Sequence, residues 1–379
     1  MKKIIKQGVM LALTGVLAFP MISCGETNKT IQLKNVKQAK NVILMIGDGM
    51  GPTQIRAGEL FKGEKLTMQG FPYKTTVQTR SNNNGTTDSA AAATALATGQ
   101  RTNNGVIGRG PDYQDLETIV DVAHGLGKAT GIIATEEIYG ATPMGFSGHA
   151  DNRGDTNDLL RSAATSSNVN LFASSAITLA QQSVFVENGY TNVAYADDIS
   201  ESTADKIIGS YTIKATYDSM MAEGEYVALD RLVTEALEYL SKDEDGFFLM
   251  AEGSHIDHGG HNNDICYMLE ELIAFDDAIA AVLEWAKNRD DTVVIVTADH
   301  ETGGLVLERD TTHQMMVDVY QSFGRGGCYE WLTTGHTSTD VNLYINGANI
   351  NFAKCSFESK DRIKNTDVFD IMKYLMTGK

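Results

Sequence analysis

The sequence predicts an α/β fold, a three-layer sandwich with a mainly parallel central sheet and helices on both faces. Three observations lead there. Short apolar, β-branched runs recur at 42–46, 75–79, 131–135, 247–250, 293–297 and 341–345. Helical patterns lie between several of them, clearest from Tyr267 to Lys287, where Leu269, Leu272, Ile273, Ile279, Val282 and Leu283 recur at three and four. Strands alternating with helices call for a largely parallel sheet covered on both faces. Third, several runs carry metal-type ligands at their ends, and ligands of an open α/β sheet bind outside the carboxyl ends of its strands.

Composition sets the bounds. At 379 residues, 42% hydrophobic and 21% charged, the chain can pack a core and is not a disordered one. A net charge of −18 argues against nucleic acid as a partner, because such binders present a basic face.

Residues 1–23 read as an export signal. Lys2, Lys3 and Lys6 form a positive start, and Val9 to Phe19 is an apolar stretch too short to span a bilayer. Met21-Ile22-Ser23-Cys24-Gly25 follows. A small residue directly before a cysteine at this point resembles a bacterial lipoprotein signal. Cys24 is then the expected lipid-bearing N-terminus, on a polar tether over 24–40, with an ordinary cleaved signal as the alternative. The expected location is the bacterial envelope, in the periplasm or at the cell surface, with the membrane reached through that anchor.

The fold proper begins at Asn41. Its first run, Val42 to Ile46, leads into Gly47-Asp48-Gly49. Asp88-Ser89 opens an alanine-rich helix over 89–97, whose N-terminus suits an anion and would stabilise a phosphoserine. In isolation, either residue could serve only as the helix cap. The stretch 155–230 carries no ligand cluster and reads as sheet-covering helices plus surface loops, with a lid over the site as the alternative. Phe247 to Met250 leads into Glu252-Gly253-Ser254-His255-Ile256-Asp257-His258-Gly259-Gly260-His261. Asp257 and His261 are four apart, within reach of one metal on a helix or a glycine-rich loop, and oxygen plus imidazole donors suit zinc. His336, shortly before the run at 341–345, is the best remote third ligand. Asp299-His300, after Val293 to Thr297, joins Asp48 as a second zinc site. Two divalent ions about 4 Å apart clamp the attacking and leaving oxygens of a phosphoryl transfer. Each residue alone has a bland reading, as a helix cap or a core histidine. Six of them placed alike at strand ends do not.

Beyond Cys24, only Cys266, Cys328 and Cys355 remain, without a C-x-x-C, so a thiolate zinc site is excluded. One disulfide is possible, and Cys328 with Cys355 is the expected pair because Cys266 sits in a helical stretch.

These residues resemble the alkaline phosphatase superfamily, and within it the alkaline phosphatases proper. The likeness runs from Asn41 to Asn351 through Gly47-Asp48-Gly49-Met50-Gly51, Asp88-Ser89-Ala90-Ala91, Ala141-Thr142-Pro143, Glu252-Gly253 with Ile256-Asp257, Thr297-Ala298-Asp299-His300 and Gly335-His336-Thr337. It implies an alkaline-phosphatase-like catalytic domain over 41–379 that hydrolyses small phosphate monoesters, with Ser89 as the nucleophile forming a covalent phosphoserine. It further implies two zinc ions, one on Asp257, His261 and His336 and one on Asp48, Asp299 and His300, and one magnesium on Asp48, Thr142 and Glu252. Arg153, eleven residues after Thr142, falls at the spacing of the family's phosphate-binding arginine. A guanidinium fork suits two phosphate oxygens, although a lone arginine can equally be a surface residue. Four carboxylates, three divalent ions and Arg153 sum to about +3, so an acidic protein can still hold a phosphate dianion.

Two departures stand out. Gly140 occupies the position two before Thr142 where family members commonly carry Asp or His near the magnesium, which puts that metal's surroundings in doubt. His258 could compensate by approaching the magnesium or the phosphate, or could serve packing alone; His255 and His149 are expected to be structural. Only 35 residues separate His300 from His336, where many members carry an insertion that helps build the dimer, so a homodimer is possible but not implied. The competing readings are a phosphodiesterase or sulfatase on the same fold, and a non-catalytic metal- or phosphate-binding lipoprotein.

Overall fold

All six apolar runs become strands of one sheet. The computed structural model describes residues 38–213, 226–347 and 362–378. Strands β1 (Asn41–Gly47), β2 (Tyr73–Gln78), β3 (Ala129–Glu137), β4 (Leu171–Ser175), β5 (Thr191–Val193), β6 (Ile207–Tyr211), β7 (Phe247–Gly253), β8 (Thr292–Thr297), β13 (Val341–Gly347) and β14 (Arg362–Lys364) make up this sheet. Their order is β14-β2-β13-β8-β1-β7-β3-β4-β6-β5. Two small ladders stand apart: β10 (Leu305–Leu307) with β11 (Tyr329–Trp331), and β9 (Glu301–Thr302) with β12 (His336–Thr337).

Pairing is parallel throughout the large sheet except at β13, which runs antiparallel to both β2 and β8. The central strands β1, β7 and β8 are buried along their whole length, which is why they read as continuous apolar runs. Reversal of β13 has a direct consequence for the site. A residue just before a reversed strand lies at the same edge as residues just after the parallel ones. His336, ahead of β13, thereby joins Asp48, Glu252 and Asp299, which end or follow β1, β7 and β8.

Helices cover both faces. One group is α1 (Pro52–Lys62), α7 (Leu229–Leu240), α9 (Ile265–Ala286) and α10 (His313–Gln321). The other is α2 (Ser89–Thr98), α3 (Ile119–Gly125), α4 (Ala141–Ser147), α5 (Thr156–Ser166) and α11 (Asn365–Thr377). Members of each group pack on one another, and both groups pack on β1, β3 and β7, so they lie on opposite faces. The expected helix 267–287 is α9, started two residues earlier by Asp264, whose side chain accepts from the Cys266 and Tyr267 N–H groups. Helix α2 is buried at every position. Its alanines let α4 approach so closely that a Cβ on Gly145 would lie 2.5 Å from the Ala93 Cβ.

The stretch 155–230 is more than sheet cover, and here the sequence reading needs correction. It holds α5, α6 (Leu179–Glu187) and three further strands, β4, β5 and β6, which extend the parallel sheet past β3. Those strands are three to five residues long, and β4 ends in Ala173-Ser174-Ser175, so their apolar signal is weak. The expected signal and tether fall almost wholly outside the described residues, as does Cys355; Cys266 and Cys328 are both buried. Among the described residues, no helix is long and apolar enough to cross a membrane.

Candidate active site

Ser89 is the first residue of α2 and is only 4% exposed. The capping role falls to its neighbour: Asp88 Oδ1 accepts from the Ala91 N–H at 3.0 Å and Oδ2 from the Gly105 N–H at 2.9 Å. Relieved of capping, the Ser89 hydroxyl turns to the edge of the sheet, with Oγ 3.1 Å from His300 Nε2.

Two sets of ligand atoms converge beside it. Helix α8 (His255–His261) places Asp257 and His261 one turn apart, with His261 Nε2 3.2 Å from Asp257 Oδ2. His336 Nε2 lies 3.1 Å from His261 Nε2 and 3.6 Å from Asp257 Oδ1. In the second set, His300 Nε2 is 3.0 Å from Asp299 Oδ2 and 3.6 Å from Asp48 Oδ1. Asp257 faces both sets, because Asp48, Asp257 and His300 also offer ligand atoms within 4.8 Å of one another. A tetrahedral zinc with bonds of about 2.0–2.2 Å holds its ligand atoms about 3.3–3.6 Å apart, which the first set matches; in the second, the ligand atoms that converge are those of Asp48, Asp257 and His300, with Asp299 beside His300.

The imidazoles are oriented by their other nitrogens. His261 Nδ1 lies 2.6 Å from the Thr334 carbonyl oxygen, and His336 Nδ1 lies 2.9 Å from that of Thr87. A carbonyl oxygen only accepts, so both Nδ1 atoms carry a proton, and each Nε2 is the nitrogen left free to offer a metal its lone pair. The Thr302 hydroxyl donates its one proton to Asp257 Oδ1 and therefore accepts from His300 Nδ1 at 3.2 Å. His300 Nε2 thus faces Asp299 Oδ2 lone pair to lone pair, an arrangement that repels unless a cation lies between them.

Unpaired atoms mark the same place. Asp48 Oδ1, Asp299 Oδ2, Glu252 Oε1 and Thr142 Oγ1 are buried without a hydrogen-bond partner. Native proteins rarely leave such atoms unmatched. Asp48, Glu252 and Thr142 offer oxygens only, a donor set that suits magnesium. Glycine lets the parts close up: Gly49, at φ +71°, carries no Cβ, which would otherwise lie 2.7 Å from the Asp257 Cα. Its N–H donates to Asp299 Oδ1 at 3.1 Å, as does the His300 N–H at 2.8 Å.

A family model of alkaline phosphatase matches residues 39–209 and 178–325. The chain belongs to the alkaline phosphatase family. Alkaline phosphatase 3 of Bacillus subtilis is 29% identical over 98% of this chain and 86% of its own length. The alkaline phosphatase of Escherichia coli is 30% identical and covers 73% of each. Among solved structures, the alkaline phosphatase of the Antarctic bacterium TAB5 has a TM-score of 0.76 at 28% identity, over 90% of this chain and 98% of that one. A variant of that enzyme has been solved with Mg bound. The Thermus thermophilus alkaline phosphatase reaches a TM-score of 0.77 at 18% identity over 94% and 96%, a likeness of fold alone. This chain is therefore a phosphatase, and membership of the family implies metal cofactors.

In this alkaline phosphatase homologue, Ser89, Asp48, Glu252, Asp257, His261, Asp299, His300 and His336 gather at one edge of the sheet. Arg153 is 42% exposed at its side chain, and its Nη1 lies 3.6 Å from Asp88 Oδ2, next to Ser89. His149 Nε2 meets the Leu116 carbonyl at 3.1 Å, and His255 Nδ1 lies 3.7 Å from Glu271 Oε1, as expected of structural residues. His258 is exposed and its ring stacks on that of His255, with centroids 4.8 Å apart. Sequence reasoning passed over Thr302, Ser254 and Glu136. Thr302 fixes Asp257 and His300. The Ser254 hydroxyl donates to Glu252 Oε2 at 2.8 Å. Glu136 ends its strand beside Glu137, and nothing in its spacing distinguishes it from a surface acid. In the fold, burial pushes its carboxyl up to about 7.

Burial, and then the neighbouring carboxylates, hold Asp48 and Glu252 well above the usual carboxylate range. Burial pushes Asp257 upward too, but the hydrogen bonds from His261 and Thr302 hold it below its ordinary value. The bond to Asp257 lifts His261 to about 9. Without metal, then, the stabilisation tied to Asp48, Glu252 and Glu136 is present at low pH and lost as pH rises through their elevated values. That tied to His261 disappears as pH rises through about 9. A chelated protein should melt below the metal-loaded one, and the gap in Tm should widen from about pH 5 to about pH 9. Calorimetric melting of both forms across that range checks this; equal melting points would mean that the carboxylates are not assembled around metal.

Proposed function

We propose that the chain is a zinc- and magnesium-dependent phosphomonoesterase that works through a covalent phosphoserine on Ser89. The convergence of three imidazole Nε2 atoms and unpaired carboxylate oxygens beside a capped-off serine carries this reading. Asp257, His261 and His336 would hold one zinc, Asp48, Asp299 and His300 the other, and Asp48, Thr142 and Glu252 the magnesium. When bound, such ions supply Lewis acidity to the phosphoryl group and stabilise the attacking and leaving oxygens.

The residues of the chain do the rest. Ser89 Oγ forms a bond to phosphorus as the ester P–O bond breaks and the alcohol leaves. Water later breaks the Oγ–P bond and returns the serine with free phosphate. The N-terminus of α2 lies under the phosphoryl group and favours its charge. Arg153, steadied by Asp88, offers its fork to two non-bridging oxygens. Small phosphate monoesters are the proposed substrates, with Arg153 reading the phosphate. We also place the chain outside the cytoplasm, anchored through a lipid on Cys24.

Turnover of p-nitrophenyl phosphate by metal-free protein should rise to saturation near two zinc ions and rise further with magnesium. A phosphate monoester should be cleaved well ahead of a diester or a sulfate with the same leaving group; preference for either of the latter would reassign the reaction. Ser89→Ala should lose about three orders of magnitude or more in kcat while keeping its zinc. Arg153→Ala should weaken inhibition by inorganic phosphate about tenfold or more with metal content unchanged. Cys24→Ser should release the protein from the membrane fraction; retention there would refute the anchor.

A further inference from the structure

Gly140 departs from the alkaline phosphatase pattern two residues ahead of Thr142, where a side chain near the third metal is missing. The structure fills that volume from elsewhere in the chain. Strand β3 ends at Glu137 and α4 begins at Ala141, with the Gly140 N–H donating back to the Glu137 carbonyl at 2.8 Å. The tight return brings Glu136 against Gly140. A Cβ on Gly140 would lie 1.8 Å from Glu136 Oε1, 2.3 Å from its Cδ and 2.8 Å from its Cγ. The Glu136 carboxylate therefore stands where the first atom of a side chain at 140 would be.

Glu136 is tied to the third site from its other side as well. Its backbone N–H donates to Ser254 Oγ at 3.2 Å, and that hydroxyl donates to Glu252 Oε2 at 2.8 Å. The Ser254 N–H in turn bonds to Thr135 Oγ1 at 2.8 Å. One serine thus locks the end of β3 to the end of β7. Glu252 Oε1 and Thr142 Oγ1 are fully buried and Asp48 Oδ1 nearly so, all three without a hydrogen-bond partner. Buried carboxylate oxygens left unpaired in such a place call for a cation.

We propose that Glu136 supplies the carboxylate that glycine at 140 leaves out, completing an all-oxygen site with Asp48, Thr142 and Glu252 for a hard divalent cation such as magnesium. This rests on the reading of the third site given above. Three carboxylates around a doubly charged ion bind it more tightly than two, and magnesium keeps waters to which a further acceptor can bond. Gly140 then has a physical reason: any side chain there would displace Glu136.

The test uses zinc-loaded protein titrated with Mg2+ by calorimetry, with metal content measured beside it. The unaltered chain should take up one Mg2+ beyond two zinc ions. Glu136→Gln, which keeps the shape and removes the charge, should weaken Mg2+ binding at least tenfold, with zinc content unchanged. Glu136→Ala combined with Gly140→Asp should restore binding by returning a carboxylate to the same volume, whereas Gly140→Asp alone should not. Unweakened Mg2+ binding by Glu136→Gln would overturn the proposal, as would a double variant that folds and takes up no Mg2+. Absence of Mg2+ uptake by the unaltered chain would also overturn it, while two bound zinc ions and phosphatase turnover would leave the broader reading standing.

Discussion

Asp48, Glu252, Asp257 and Asp299 bring four carboxylates to the edge of a sheet whose strands are buried on both faces. Like charges so placed are unfavourable unless cations intervene, and the surrounding structure is arranged around that requirement. Each histidine has its Nδ1 tied to a carbonyl or a threonine, which turns its Nε2 inward as a lone pair. Oxygens with no protein partner point the same way. Bound ions are expected to stabilise a site of this kind.

The scaffold holds these groups by rigid means. Strands β1, β7 and β8 are adjacent, so the residues that end or follow them are neighbours through backbone pairing. The β9–β12 ladder pairs His336 with Thr302 and Thr337 with Glu301, and the Thr337 hydroxyl donates to the buried Glu301 carboxylate. Gln54 and the Gly304 N–H also donate to Glu301. His336 is held in this way against His300, with ring centroids 3.6 Å apart. On the opposite side, the alanines of α2 allow it to sink between α4 and α11, which sets the depth of Ser89 at its tip.

Between His300 and His336 the chain spends few residues. It forms β9, β10, α10 and β11 and returns. That segment delivers one metal-type ligand and the Thr334 carbonyl that orients another. The phosphate side is equally economical, since Asp88 caps α2, binds the Gly105 N–H and stands beside Arg153. One carboxylate thus links the helix that begins at Ser89 to Arg153.

The sequence by itself determined the α/β class, the six principal strands and the start of α2, and it singled out the candidate ligands and Ser89, because apolar runs and ligand residues recur in a fixed local relation. Short range was its limit. β4, β5 and β6 escaped because short strands of small residues lack a distinct period. The reversed direction of β13, which alone explains why His336 precedes its strand while the other ligands end or follow theirs, is a property of pairing between distant segments. Thr302, Ser254 and Glu136 look like ordinary polar residues until the fold brings them together. Only the tertiary structure decided which nitrogen of each histidine faces inward, and that Glu136 fills the space Gly140 leaves open. Burial, the missing Cβ and hydrogen bonds across more than a hundred residues create those relations, and no local pattern encodes them.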